Sequence, residues 1–145
     1  MTKQLLFLSL FLMSFSVVSQ NWENNFEEAV SHAKEEDKPI VLVFSGSDWC
    51  APCIKLDKEI WQSERFKKYA HQHYVLYKAD FPRKKSNRLS EEKIAEHAKL
   101  ADRFNPRGHF PLVVVLNAER TVLGTLGYEK TTPEKYISNL NKFLR

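Results

Sequence analysis

Apolar positions along the 145-residue chain follow two alternating rhythms. Trp22, Phe26, Ala29, Val30 and Ala33 recur at helical spacing among Glu, Asn and Lys, which predicts an amphipathic helix ending before Asp37-Lys38-Pro39. The pattern then becomes an unbroken β-branched and aromatic run, Ile40-Val41-Leu42-Val43-Phe44, closed by Ser45-Gly46-Ser47. A short apolar run of this kind predicts a strand covered on both faces. Helical spacing returns with Ile54, Leu56, Ile60 and Trp61, one apolar face on a helix that starts at Trp49-Cys50-Ala51-Pro52-Cys53. Ser63-Glu64 restarts it, and Phe66, Tyr69 and Ala70 continue it.

Tyr74-Val75-Leu76-Tyr77 predicts a second strand closing at Asp80, and a basic loop follows Pro82. Ser90-Glu91-Glu92-Lys93 has the form of a capped helix start; Ile94, Ala95, Ala98, Leu100, Ala101 and Phe104 give that helix its expected buried stripe, up to Asn105-Pro106. Pro111 opens a third buried strand, Leu112-Val113-Val114-Val115-Leu116. Asn117-Ala118-Glu119-Arg120 turns it into Thr121-Val122-Leu123 as a β-hairpin. Thr132-Pro133-Glu134 starts a closing helix faced by Tyr136, Ile137, Leu140, Phe143 and Leu144. The order αβαβαββα implies an α/β three-layer sandwich, its central mixed sheet parallel early, antiparallel late and flanked by helices. Repeats and low-complexity tracts are absent.

The first twenty residues stand apart. Lys3 precedes an apolar run over residues 5–18 in which only Ser9, Ser14 and Ser16 are polar. A spanning helix needs about 20 apolar residues, so this shorter run behind a basic start reads as a signal peptide, residues 1–20, cleaved near Ser19 or Gln20. An uncleaved anchor and a buried helix are the competing readings. No cysteine lies near the segment, which argues against a lipoprotein anchor. The expectation is one exported domain over residues 21–145, periplasmic or secreted, meeting the membrane only through its export signal.

With 43% hydrophobic and 12% aromatic residues, the chain can build a single core. Without the leader it carries 21 basic and 18 acidic residues, a mildly basic balance with no nucleic-acid signature. Arg83, Lys84, Lys85 and Arg88 concentrate charge around Asn87; they read as a solvated loop able to steer an acidic partner.

An exported chain can form disulfides, yet this one has two cysteines, three positions apart. Closing so small a loop stabilises a fold little, which leaves redox chemistry or metal binding. A helix whose first turn holds two cysteines makes a reactive thiol. Free backbone N–H groups and the positive helix end stabilise the Cys50 thiolate, and its pKa is expected below about 8.5. Cys53, one turn on, is positioned to attack the mixed disulfide, so Cys50 is the nucleophile and Cys53 the resolver. Pro52 lacks an N–H, fits the first helical turn and stiffens the spacer; Ala51 is small and neutral. Trp49 either docks substrate or covers the sulfurs.

The rival is zinc or copper held by the two thiolates with two of His32, His71, His73, His97 and His109. No second C-x-x-C exists and these histidines lack a zinc spacing from the pair, so neither a metal nor any cofactor beyond the thiols is expected. His71 and His73 read as flanking a helix end, His109 as a surface loop residue beside the site, and Asp80 as a strand-end turn. Trp22 and Trp61 read as core residues.

Four features resemble the thioredoxin superfamily over roughly residues 24–144. They are Trp49-Cys50-Ala51-Pro52-Cys53 after the first strand, Asp80 closing the next, Pro111 opening the late strand, and Gly127 after the hairpin. The resemblance implies a cis Phe110–Pro111 bond against the cysteines, with the preceding backbone pairing to substrate, which makes Phe110 and Pro111 substrate-binding residues, joined by Trp49 on its substrate-docking reading. It further implies a monomeric protein thiol–disulfide oxidoreductase, a reductase of exported proteins that carry cysteines or disulfides, recharged by a membrane electron donor. A binding or delivery module for copper or an apocytochrome thiol is the alternative on the same scaffold. Residues 45–50 and 57–61 look most like exported thioredoxin-like proteins of Gram-negative bacteria. Two departures stand out. Reducing thioredoxins carry a buried aspartate where this chain has Phe44, so Asp48, Asp57, Glu59 or a water would have to accept the Cys53 proton. The approach Gly108-His109-Phe110-Pro111 is one residue longer than usual, with a bulky Phe110 before the proline.

Overall fold

The computed structural model describes residues 21–145; the expected leader lies outside the described residues. The first helix, α1, spans Phe26–Glu36, and its N-cap Asn25 accepts a hydrogen bond from the Glu28 N–H. Its C-cap, Asp37, takes the left-handed conformation, with φ 52°. Trp22, expected on this helix, precedes it instead: it bridges in parallel to Leu76 and sets its ring edge-on to Trp61, 6.2 Å away.

Strand β1, Ile40–Ser45, is buried at every position. The sulfur-bearing helix α2 covers Ala51–Leu56 and runs into a π-helical turn, Asp57–Trp61, before α3 at Glu64–His73, capped by Ser63. Strand β2, Val75–Asp80, leads into the basic loop; α4, Glu91–Phe104, follows under a Ser90 cap. Strands β3, Leu112–Leu116, and β4, Val122–Leu126, make the hairpin, and α5, Pro133–Asn141, closes the fold behind a Thr132 cap.

The four strands lie in the order β2-β1-β3-β4. β1 pairs in parallel with β2 and antiparallel with β3, which pairs antiparallel with β4, as the early-parallel, late-antiparallel pattern predicted. Alternate residues of β1 serve opposite faces. Val41 and Val43 pack with Leu56, Ile60, Trp61, Phe66, Tyr136 and Leu140 beneath α2, α3 and α5. Ile40, Leu42 and Phe44 pack with Phe26, Ala29, Val30 and Leu100 beneath α1 and α4. This is the expected three-layer sandwich.

Three apolar assignments change. Ile54 is 46% exposed rather than buried beside Leu56, because α2 turns that face outward next to the cysteines. On α4, Ile94, Ala95 and Ala98 are exposed, whereas His97 and Leu100 face the sheet. A buried histidine thus occupies the stripe that the apolar residues alone were expected to form. The last strand extends to Leu126, past the expected Leu123.

Candidate active site

Three turns converge where β1 and β2 end and β3 begins. β1 stops at Ser45, and the chain folds back at once, the Trp49 and Cys50 N–H groups donating to the Gly46 carbonyl at 3.2 and 2.9 Å. That turn delivers Cys50 to the N-cap of α2, where its sulfur accepts from the Cys53 N–H at 3.3 Å. Pro52 lies within the first turn, where its missing N–H leaves no backbone group unpaired. The cysteines form a disulfide across a Cα separation of 5.2 Å. Both are buried, Cys50 at 5% and Cys53 at 2% exposure, and the Gly46 N–H points at the Cys53 sulfur from 3.5 Å. Ala51 is exposed on the open side of the pair.

Trp49 is held on several sides. Its indole N–H donates to the Phe81 carbonyl at 2.7 Å, Phe110 meets its ring edge at 5.5 Å, and the Arg83 guanidinium lies 3.7 Å over its centroid. Phe81 also packs on Phe110 at 5.4 Å and on Phe44 at 6.5 Å. Phe44 therefore fills the missing acid's position with an aromatic stack. Phe110–Pro111 is a cis peptide, and buried Pro111 leads into β3. Asn105, itself buried, accepts from the His109 N–H and donates to the His109 carbonyl, which fixes the longer approach to the proline. Gly108 turns there with φ 66°.

The expected proton acceptors are engaged elsewhere. Asp48 accepts from the Arg83 and Lys84 N–H groups and the Asn87 amide at 2.9–3.0 Å, bonds that hold its carboxyl below the ordinary value. Asp57 pairs with Lys78 at 3.0 Å, and Glu59 accepts from the Tyr128 hydroxyl at 2.9 Å. Among the described residues, the hydrogen bond made to the Cys53 sulfur comes from the Gly46 N–H, not from a carboxyl group. Asp80 does more than turn the chain, since it accepts from both the N–H and the hydroxyl of Ser47, tying the end of β2 to the turn before the cysteines.

The histidines stay apart. His71 and His73 end α3, where His73 stacks on Tyr69 at 4.2 Å; His32 pairs with Glu23, and His109 is exposed in its loop. Among the described residues, no group of three or more His, Cys, Asp or Glu side chains is placed to hold a metal ion.

His97 was not singled out for its burial, and it anchors a polar network under the loop after β2. Its Nδ1 lies 2.8 Å from the Asp80 carbonyl, and its Nε2 3.1 Å from the Tyr77 hydroxyl. The Tyr77 hydroxyl, with one proton to share between His97 and Glu96, lies 2.9 Å from the Glu96 carboxylate, which accepts from Lys93 and the Phe26 N–H. The signal was present in the sequence: a histidine three positions before Leu100 shares that residue's helical face.

A disulfide between cysteines three positions apart at a helix start, beside a strand entered through a cis-proline, places the protein among thiol–disulfide oxidoreductases. The chain belongs to the thioredoxin-like family, whose family model matches residues 21–118. It is similar to the disulfide bond reductase DsbH of Chlamydia pneumoniae, 37% identical over 124 residues, 86% of this chain and 72% of that protein. Among solved structures, a DsbH oxidoreductase superposes with a TM-score of 0.80 at 36% identity, over 87% of this chain and 85% of that one. A disulphide isomerase from Xylella fastidiosa Temecula1 shares the fold, with a TM-score of 0.61 at 19% identity over 88% of this chain and all of that one.

Proposed function

We propose that this protein reduces disulfides in exported proteins, with Cys50 as nucleophile and Cys53 as resolving thiol. The observation that carries the assignment is the place of Cys50 at the N-cap of α2, its sulfur accepting a backbone N–H. The same N–H stabilises a thiolate once the pair is reduced. The Cys50 thiolate attacks one sulfur of a substrate disulfide, forming a mixed disulfide and releasing the other sulfur as a thiolate. Cys53, deprotonated, then attacks the Cys50 sulfur; the Cys50–Cys53 bond forms, the mixed disulfide breaks, and the substrate leaves with two electrons. The Gly46 N–H takes over from the absent buried acid by stabilising the Cys53 thiolate directly, so that solvent can accept its proton.

Trp49, Phe110 and Pro111 line the approach to the sulfurs, and the backbone before Pro111 pairs with the substrate chain. Residues 1–20 form the leader, removed near Ser19 or Gln20, and residues 21–145 act as a monomer in the periplasm. A separate membrane protein returns the electrons. Reduction as the working direction is supported by the likeness to a disulfide bond reductase.

Equilibration with glutathione, read by Trp fluorescence with Cys50→Ser as control, tests the direction. A reduction potential of about −250 mV or lower is expected; about −130 mV would mark an oxidant instead.

A further inference from the structure

The loop after β2 forms a groove, linked to the reactive pair through the contacts of Phe81 and Arg83 with Trp49, that the exchange reaction itself does not use. Phe81, Leu89, Ile94 and Ala98 supply an apolar floor to a cavity of about 360 Å³. Ile94 is 39% exposed there, an outward apolar residue on a helix whose other outward positions are mostly polar. Arg83, Lys84 and Lys85 line the same cavity, and none of them makes an ion pair among the described residues, whereas Arg88 pairs with Glu91. The nearby carboxylates are engaged by other donors: Asp80 by Ser47, and Asp48 by the loop's own N–H groups.

The groove is coupled to the reactive pair in three places. Trp49, next to Cys50, bonds the Phe81 carbonyl and lies under Arg83, and Phe110 packs against both Trp49 and Phe81. A chain lying along Phe110 with its sulfur at Cys50 therefore reaches Phe81 and then the cationic rim. We propose that this groove docks an acidic segment with interspersed apolar side chains that flanks the target disulfide in the substrate polypeptide. The inference rests on the oxidoreductase reading and names the class of substrate it prefers. Charge at the rim selects and accelerates encounter, and the apolar floor holds the segment while exchange proceeds.

Two synthetic peptides test it, sharing one intramolecular disulfide and flanked either by alternating Glu and Leu or by alternating Lys and Leu. kcat/KM for each is normalised to that for hydroxyethyl disulfide, a small neutral substrate. The wild type is expected to favour the acidic peptide about fivefold at low salt, with the advantage shrinking as salt screens it. Lys84→Glu/Lys85→Glu is expected to abolish or reverse the preference. Equal rates on both peptides in the wild type, or an unchanged preference in the double variant, would overturn the groove assignment while leaving the redox reading intact. Failure to reduce hydroxyethyl disulfide and both peptides would overturn the redox reading, and the groove with it.

Discussion

Gly46 shows how closely the site is packed around its turn. A Cβ built on it would lie 2.3 Å from the Trp49 ring, which is pinned by the Phe81 carbonyl, Phe110 and Arg83. The ring cannot yield without losing those contacts, so Gly46→Ala is expected to destabilise the fold by about 1–3 kcal/mol. The indole should also move, and Trp fluorescence and urea titration would register both effects. His97 governs a second residue-scale property. Burial holds its imidazole below the ordinary value, against the raising effect of the Asp80 carbonyl and the Glu96 carboxylate, with Lys93 opposing. The Asp80 carbonyl can only accept, so Nδ1 carries the proton and Nε2 faces Tyr77. The unfolded chain takes up a proton near pH ~6.5 and the folded chain only at lower pH, so this contribution is complete above ~6.5 and fades as pH falls. Unfolding between pH 7 and 5 should show this loss of stability, and His97→Gln should flatten it.

At the scale of elements, the π-helical turn joins the sulfur-bearing helix to α3 and aims Trp61 into the core. Trp61 is 1% exposed and meets Phe66 at 4.7 Å, Tyr136 at 5.5 Å and Trp22 at 6.2 Å, so it ties α2, α3, α5 and the N-terminal segment together. Trp61→Ala should cost about 3–5 kcal/mol, measured by chemical denaturation, because no neighbour can collapse into so large a void. The strands and most helices were legible because each carries its own local pattern, such as the continuous run of β1 or Thr132 before Pro133. Trp22 was misplaced because its four- and seven-residue spacings from Phe26 and Ala29 fit a helix, while a bridge to Leu76 is a long-range contact with no local mark. Ile94 and Ala98 were assigned to the core because they are apolar; the sheet end that receives α4 instead offers the Asp80 carbonyl and Tyr77 hydroxyl, which suit a histidine. At the site, Cys50, Cys53, Trp49 and Pro111 were recognisable from one dense motif and one distant proline. The engagement of Asp48 with the Arg83 loop joins residues 35 and more positions apart, and only the folded chain brings them together.

For the whole molecule, working direction and stability are one quantity seen from two sides. A pair that donates electrons readily is one whose folded protein favours the closed disulfide, and a strong oxidant is the reverse, a fold that stabilises the reduced form. Here the oxidised pair is well accommodated: the Cys50 sulfur accepts from the Cys53 N–H, the Cys53 sulfur from the Gly46 N–H, and no charged side chain among the described residues bonds either sulfur. The same N–H groups will favour thiolates after reduction, so the two redox states compete for one set of donors. If reduction is the working direction, the oxidised state should be the more stable to urea, measured against the protein kept in excess reductant. Each ~1.4 kcal/mol of that difference lowers the potential by about 30 mV relative to the pair in the unfolded chain, so denaturation curves give the direction independently of any substrate. Equal midpoints would leave the fold without leverage on the couple. A more stable reduced form would make the protein an oxidant, with the N–H groups at the start of α2 stabilising the thiolates it must keep.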